Sequence, residues 1–212
     1  MRLGVKVATE DEMQIDKDIA ILSDAEVCRS IATRTEEMMG FWKSAKGWAP
    51  VEAAGLLSRS MLEWQSSLSE ALEMWLDCQT DGQLILAWAN LGALVEGQLK
   101  LFLSVFYKDY LKPAQVGVIK RGTKLDPDGC GLNDLRQFFA KEVWREEFDW
   151  DVWIKHVQER RNSIHAFKHR DIGTFAEWRN DLRLHLGFIH DLDSRLPYPE
   201  NGSYRDFTDE CA

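Results

Sequence analysis

No uncharged apolar run approaches the roughly 18 residues needed to span a bilayer; the nearest candidate, Leu84 to Val95, is too short. The opening MRLGVKVATEDEMQ lacks a continuous apolar stretch and is acidic by residue 10, unlike a secretory signal. The four cysteines, Cys28, Cys78, Cys130 and Cys211, are scattered, with no CxxC pair. That spacing argues against a disulfide framework or a structural zinc site and for free thiols in a reducing compartment. The cytoplasm is the expected location. Strand signals are nearly absent, with Val5 to Ala8 and Gly117 to Lys120 the only short candidates. Basic residues are outnumbered: a net charge of −9 argues against a non-specific nucleic-acid coat protein, although it permits a small basic cleft.

What is present is the material of a helical core. The chain is 45% hydrophobic and carries nine tryptophans, which excludes disorder over its middle. Apolar residues recur at three- and four-residue spacing between turn signals, the helical period. Ser23 with Glu26 forms a capping box ahead of a helix running to about Lys43. Pro50 suits the first position of a second helix reaching about Asp77, with an apolar stripe of Leu56, Leu57, Met61, Trp64, Leu68, Leu72 and Trp75. Thr80 with Gln83 caps a third, from about Gly82 to Leu111; apolar on most sides, it should be the central one. Its Glu96 and Lys100 form an i, i+4 pair expected at the surface.

Residues 112–131 form the one long connection, punctuated by Pro and Gly and carrying Lys112, Lys120, Arg121 and Lys124. Three shorter helices follow: about Asn133 to Arg145, about Trp150 to Lys168, and about Phe175 to Ser194, the last capped by Thr174 with Glu177. The expected architecture is all-α, a helical bundle over 23–197, with residues 1–22 a loosely held arm and 198–212 a polar tail.

All five histidines lie between residues 156 and 190, and the segment ERRNSIHAFKHRD holds two of them. At about 100° per residue, Trp153, Val157, Ile164 and Phe167 share one arc that should face the bundle. Arg160 falls in its middle, a costly place for a charge that cannot be shed. A buried ion pair with Glu96 or Glu63 is the simplest explanation. Arg161 and His165 share the rim of that arc.

This segment resembles the HEPN superfamily of helical domains. Many of its members are ribonucleases marked by an arginine, a polar residue and a histidine, with four to six residues between arginine and histidine. Arg160 and His165 are separated by four residues, while Arg161-Asn162 supplies the arginine–polar dipeptide, so either arginine can be the catalytic one. The resemblance covers about Ala53 to Leu196. It implies a HEPN-like bundle and metal-independent endoribonuclease activity with Arg160, Arg161, Asn162 and His165 as catalytic candidates and no cofactor. It also implies RNA as partner, a homodimer with two motifs facing each other, and a place as the toxic or defence effector of a bacterial system, with an antitoxin or other defence protein as possible partner. Lys168, His169 and Arg170 would then contact flanking phosphates. Histidine suits proton transfer near neutral pH, and arginine suits bidentate phosphate binding.

Two other readings fit the same residues. One is a HEPN-like module that binds a protein partner or a nucleotide without cutting. The other is a metal site built from His165, His169, His185 and His190, although HAFKH lacks the glutamate of an HExxH motif.

Overall fold

The computed structural model describes residues 17–112, 119–120, 123–144, 150–165 and 167–198. The chain is all-α. Its helices are α1 (Asp24–Lys43), α2 (Val51–Arg59), α3 (Leu62–Glu70), α4 (Asp81–Val105), α5 (Tyr107–Tyr110), α6 (Leu132–Glu142), α7 (Asp151–Arg161) and α8 (Phe175–Ser194). Short 3₁₀ turns at Ala71–Trp75, Pro127–Gly129 and Asn162–His165 and a helical stretch over residues 17–21 complete the described helical elements. A two-residue antiparallel ladder pairs Ile119–Lys120 with Thr123–Lys124, part of the segment 117–120 that carried a weak strand signal.

All three capping boxes form. Ser23, Thr80 and Thr174 each accept from the backbone N–H three residues on, and the side chains of Glu26, Gln83 and Glu177 return the bond. Helix α4 runs through the centre and packs against α2, α3, α6, α7 and α8. Trp88, Leu91, Leu94, Val95 and Leu99 along it are fully buried, beside Trp178, Phe139 and Phe188 from its neighbours. Each large side chain so enclosed contributes roughly 2–3 kcal/mol of apolar transfer free energy. No helix among the described residues is long and apolar enough to cross a membrane.

The expected second helix is broken at Ser60, whose backbone is extended (ψ 141°), with Met61 following at ψ 64°. The break shifts the helical phase. Leu56, Leu57 and Leu72 are buried as expected, but Met61 and Trp64 face outward and Leu62 takes the core position. Of the expected N-terminal arm, residues 17–21 are helical; Ile19 is buried, and the Leu22 carbonyl accepts from Arg183 at 2.8 Å. Residues 1–16, including the strand candidate Val5 to Ala8, lie outside the described residues, as do 199–212 of the tail. In the long connection, the Tyr110 hydroxyl donates to the Leu125 carbonyl at 2.6 Å, and Arg59 holds Asp126 and Asp128 at 2.6 and 3.0 Å.

Candidate functional site

Helix α7 ends at Arg161, seven residues before the expected terminus at Lys168, and tightens into the 3₁₀ turn Asn162–His165. The Ser163 hydroxyl donates to the Arg160 carbonyl at 2.6 Å and is itself buried, which pins that turn. Because the α-helical phase stops here, the expected apolar arc does not continue. Trp153 and Val157 are buried, whereas Ile164 is 46% exposed and Phe167 fully so. A 3₁₀ turn places residues three apart on one edge, so Asn162 and His165 project from the same side, and His165 is exposed.

Both arginines are held by carboxylates. The side chain of Arg160 is only 11% exposed, in keeping with its place in the apolar arc. Its partners are neither Glu96 nor Glu63: Nη1 meets Asp171 at 2.6 Å and Nη2 approaches Glu177 at 3.7 Å. The Arg160 bond, helped by the Gly173 N–H at 2.9 Å, holds the Asp171 carboxyl below its ordinary range. Gly173 itself has φ +64°, and a Cβ there would lie 2.0 Å from Glu177 Oε2 and 3.1 Å from Arg160 Cζ. Arg160 therefore ties the end of α7 to the start of α8.

Arg161 reaches the other way. Its stem crosses Gly92 of α4, where a Cβ would lie 2.5–2.9 Å from Cδ, Cγ and Cβ of the arginine, and its Nη1 meets Glu96 at 2.5 Å. Glu96 also holds Lys100 at 2.7 Å, and this pair, expected at the surface, is mostly enclosed. Burial alone would raise the Glu96 carboxyl, but Lys100 and Arg161 outweigh it and the net shift is downward. Arg161 remains 30% exposed, and its other guanidinium nitrogens have no protein partner among the described residues.

Residues 167–174 are not helical, so Lys168 and His169 do not stack one turn above His165; with Arg170 they are exposed. The four-histidine metal arrangement is not assembled. His165 and His169 have lost the i, i+4 relation, and His185 is sealed in the core with Nε2 2.9 Å from Gln98 Oε1. Burial drives His185 down to about 3, and burial with Arg34 nearby takes His190 down to about 4. No group of three or more metal-binding side chains occurs among the described residues. Cys28 and Cys78 are free thiols; burial, then Glu73, pushes the Cys28 thiol up to about 12, which leaves it unreactive.

A second polar cluster forms around His156, whose sequence context suggests only a surface or interhelix place. His156, one turn before Arg160, places Nε2 3.3 Å from Asp181 of α8. Asp181 is buried and accepts from Trp153 Nε1 at 2.7 Å; burial raises its carboxyl, partly offset by His156 and Trp153. The His156 ring meets Trp88 edge-on at 5.5 Å, and Trp88 Nε1 donates to the Ile172 carbonyl at 2.8 Å. A signal for this cluster was present: Asp181 lies three residues from Trp178 and one from Leu182, within an apolar stripe, the same anomaly that marked Arg160.

No family of known proteins, no curated protein and no solved structure matches this chain.

Proposed function

We propose that this protein is a metal-independent endoribonuclease of the HEPN type, acting through Arg161, Asn162 and His165. The observation that carries the reading is the exposed edge at the end of α7, where Asn162 and His165 share one side of a 3₁₀ turn directly after a partly exposed Arg161. In the proposed reaction the RNA 2′-oxygen attacks the adjacent phosphorus, His165 takes the hydroxyl proton, and the bond to the 5′-oxygen breaks as that oxygen takes a proton back from the His165 imidazolium. A 2′,3′-cyclic phosphate and a 5′-hydroxyl result. Arg161 bears on the phosphate through the nitrogens that Glu96 leaves free, stabilising the charge that builds in the transition state. Asn162 supplies a neutral hydrogen bond to the same group.

Arg160 acts as a positioning residue, since its guanidinium is nearly enclosed and committed to Asp171 and Glu177. The reading extends to a homodimer with two such edges facing each other, and to a toxic or defence role in a bacterial cell. Total RNA incubated with purified protein in EDTA tests it. Cleavage leaving cyclic phosphate ends, lost in His165→Ala, is expected; intact RNA overturns it.

A second reading, a non-catalytic HEPN-like module for a protein partner or nucleotide, draws on the Glu96 carboxylate at 2.5 Å from Arg161, which offsets the cation a phosphate would need. Tight capture of a partner together with inert RNA would establish it.

A further inference from the structure

The segment after the 3₁₀ turn places open apolar side chains beside exposed cations. Phe167 is 103% exposed, the most open large apolar side chain described, and Ile164 beside it is 46% exposed. Leaving a phenylalanine in water forgoes most of the transfer free energy that burial would give it. Its backbone N–H donates to the His165 carbonyl at 2.6 Å, which ties its backbone to that of the proposed catalytic turn. Lys168, His169 and Arg170 follow, all exposed.

Charge identifies what such a surface would meet. The chain has a net charge of −9, and nearly every arginine among the described residues is committed: Arg29, Arg59, Arg136, Arg160, Arg161, Arg179, Arg183 and Arg195 each hold an acidic side chain. Arg34 also has a partner. Arg170 is the one arginine among the described residues with neither an ion pair nor a hydrogen bond, and Lys168 has no partner either. An open aromatic face beside unpaired cations matches a strand that offers π-faces and phosphates together. A second copy of the same patch would bring like charges together across a two-fold axis unless a polyanion lay between them.

We infer that Phe167 is a stacking platform for an unpaired base, with Lys168 and Arg170 on the neighbouring phosphates, so that the substrate is single-stranded RNA. The assignment rests on the ribonuclease reading of the adjacent turn. In a duplex the base faces are already stacked, so the platform selects loops and single strands.

The test is fluorescence anisotropy of the full chain with a labelled 2′-O-methyl oligoribonucleotide, single-stranded or annealed to its complement as a full duplex; the methyl group removes the nucleophile, so binding is read without cleavage. The single strand should bind more tightly than the duplex. Phe167→Ala should weaken it about 5- to 100-fold, Phe167→Tyr should leave it within about threefold, and Arg170→Gln should lower the salt slope by roughly 0.7. Because the ring touches nothing, Phe167→Ala should melt with the wild type. Undiminished binding by Phe167→Ala, no binding by the wild type, or a dimer that dissociates in Phe167→Ala at unchanged RNA affinity would each overturn the assignment. Cleavage of unmodified RNA, measured in parallel, separates the two claims. Binding without cleavage removes the ribonuclease reading alone, and wild-type cleavage by Phe167→Ala removes the stacking platform alone.

Discussion

Arg161 reaches Glu96 only because residue 92 has no side chain: the arginine stem lies across Gly92, on the turn of α4 before the carboxylate. A Cβ at that point would meet the near part of the stem, which cannot swing aside as a terminal group would. Gly92→Ala should therefore push the guanidinium off Glu96, lower the melting point by the equivalent of about 1–2 kcal/mol, and reduce cleavage along with it. Cleavage at the wild-type rate in a folded Gly92→Ala protein would show that Arg161 takes no part.

The two arginines should separate under mutation. His165→Ala should lose about 10²- to 10⁴-fold in cleavage with an unchanged melting curve, since an exposed side chain adds little to stability. Arg161→Ala should also lose activity, at about 1 kcal/mol, because Lys100 still pairs with Glu96. Arg160→Ala should cost more, about 1–3 kcal/mol, chiefly through the lost packing of its enclosed stem, its exposed partner Asp171 being free to return to water. If Arg160→Ala melts with the wild type yet cuts nothing, Arg160 is the catalytic arginine and the assignment reverses.

Gly173 is constrained twice, by φ +64° and by the approach of Glu177 and Arg160. Gly173→Ala should lower stability by about 2–3 kcal/mol. It should also loosen the start of α8, read as faster amide exchange over residues 174–178. Wild-type exchange there would mean that the Arg160 cluster does not hold this junction.

How much of this was legible in the sequence depended on whether the information was local. Capping boxes are local, and Ser23, Thr80 and Thr174 each mark the helix start found in the structure. The central place of α4 followed from an apolar surface on most of its sides. Helix ends were less legible. Extending α7 to Lys168 assigned Ile164 and Phe167 to the core, because nothing in RNSIHAF announces a 3₁₀ turn. Pairing partners were not legible either. A charge within the arc of Arg160 demanded a carboxylate, but only the packing of α7, α4 and α8 decides that Glu96 goes to Arg161 while Asp171 and Glu177 go to Arg160.

The buried histidines set a dependence on acid. His185 is fully enclosed and lowered to about 3 by burial, and His190 is lowered to about 4. In the unfolded chain both titrate near 6.5, so below that pH the unfolded state binds more protons and stability rises with pH. Their stabilising effect is complete above about 6.5 and is lost as pH falls toward 4 and then 3. Asp181 and Asp193, whose carboxyls burial raises, act in the opposite sense, favouring the folded state on acidification just above the usual carboxylate range. Because burial displaces His185 furthest from its ordinary value, the histidines should dominate between pH 6.5 and 5, where the carboxylates are still largely ionised in the unfolded chain. Urea melts at pH 7.5, 6 and 5 should show a steady loss on the order of 1–3 kcal/mol. His185→Gln, which keeps a donor for Gln98 Oε1 but cannot titrate, should start less stable at pH 7.5 and lose less on acidification. Equal pH slopes for His185→Gln and the wild type would mean that the ring is already protonated in the folded core, with Gln98 as its acceptor.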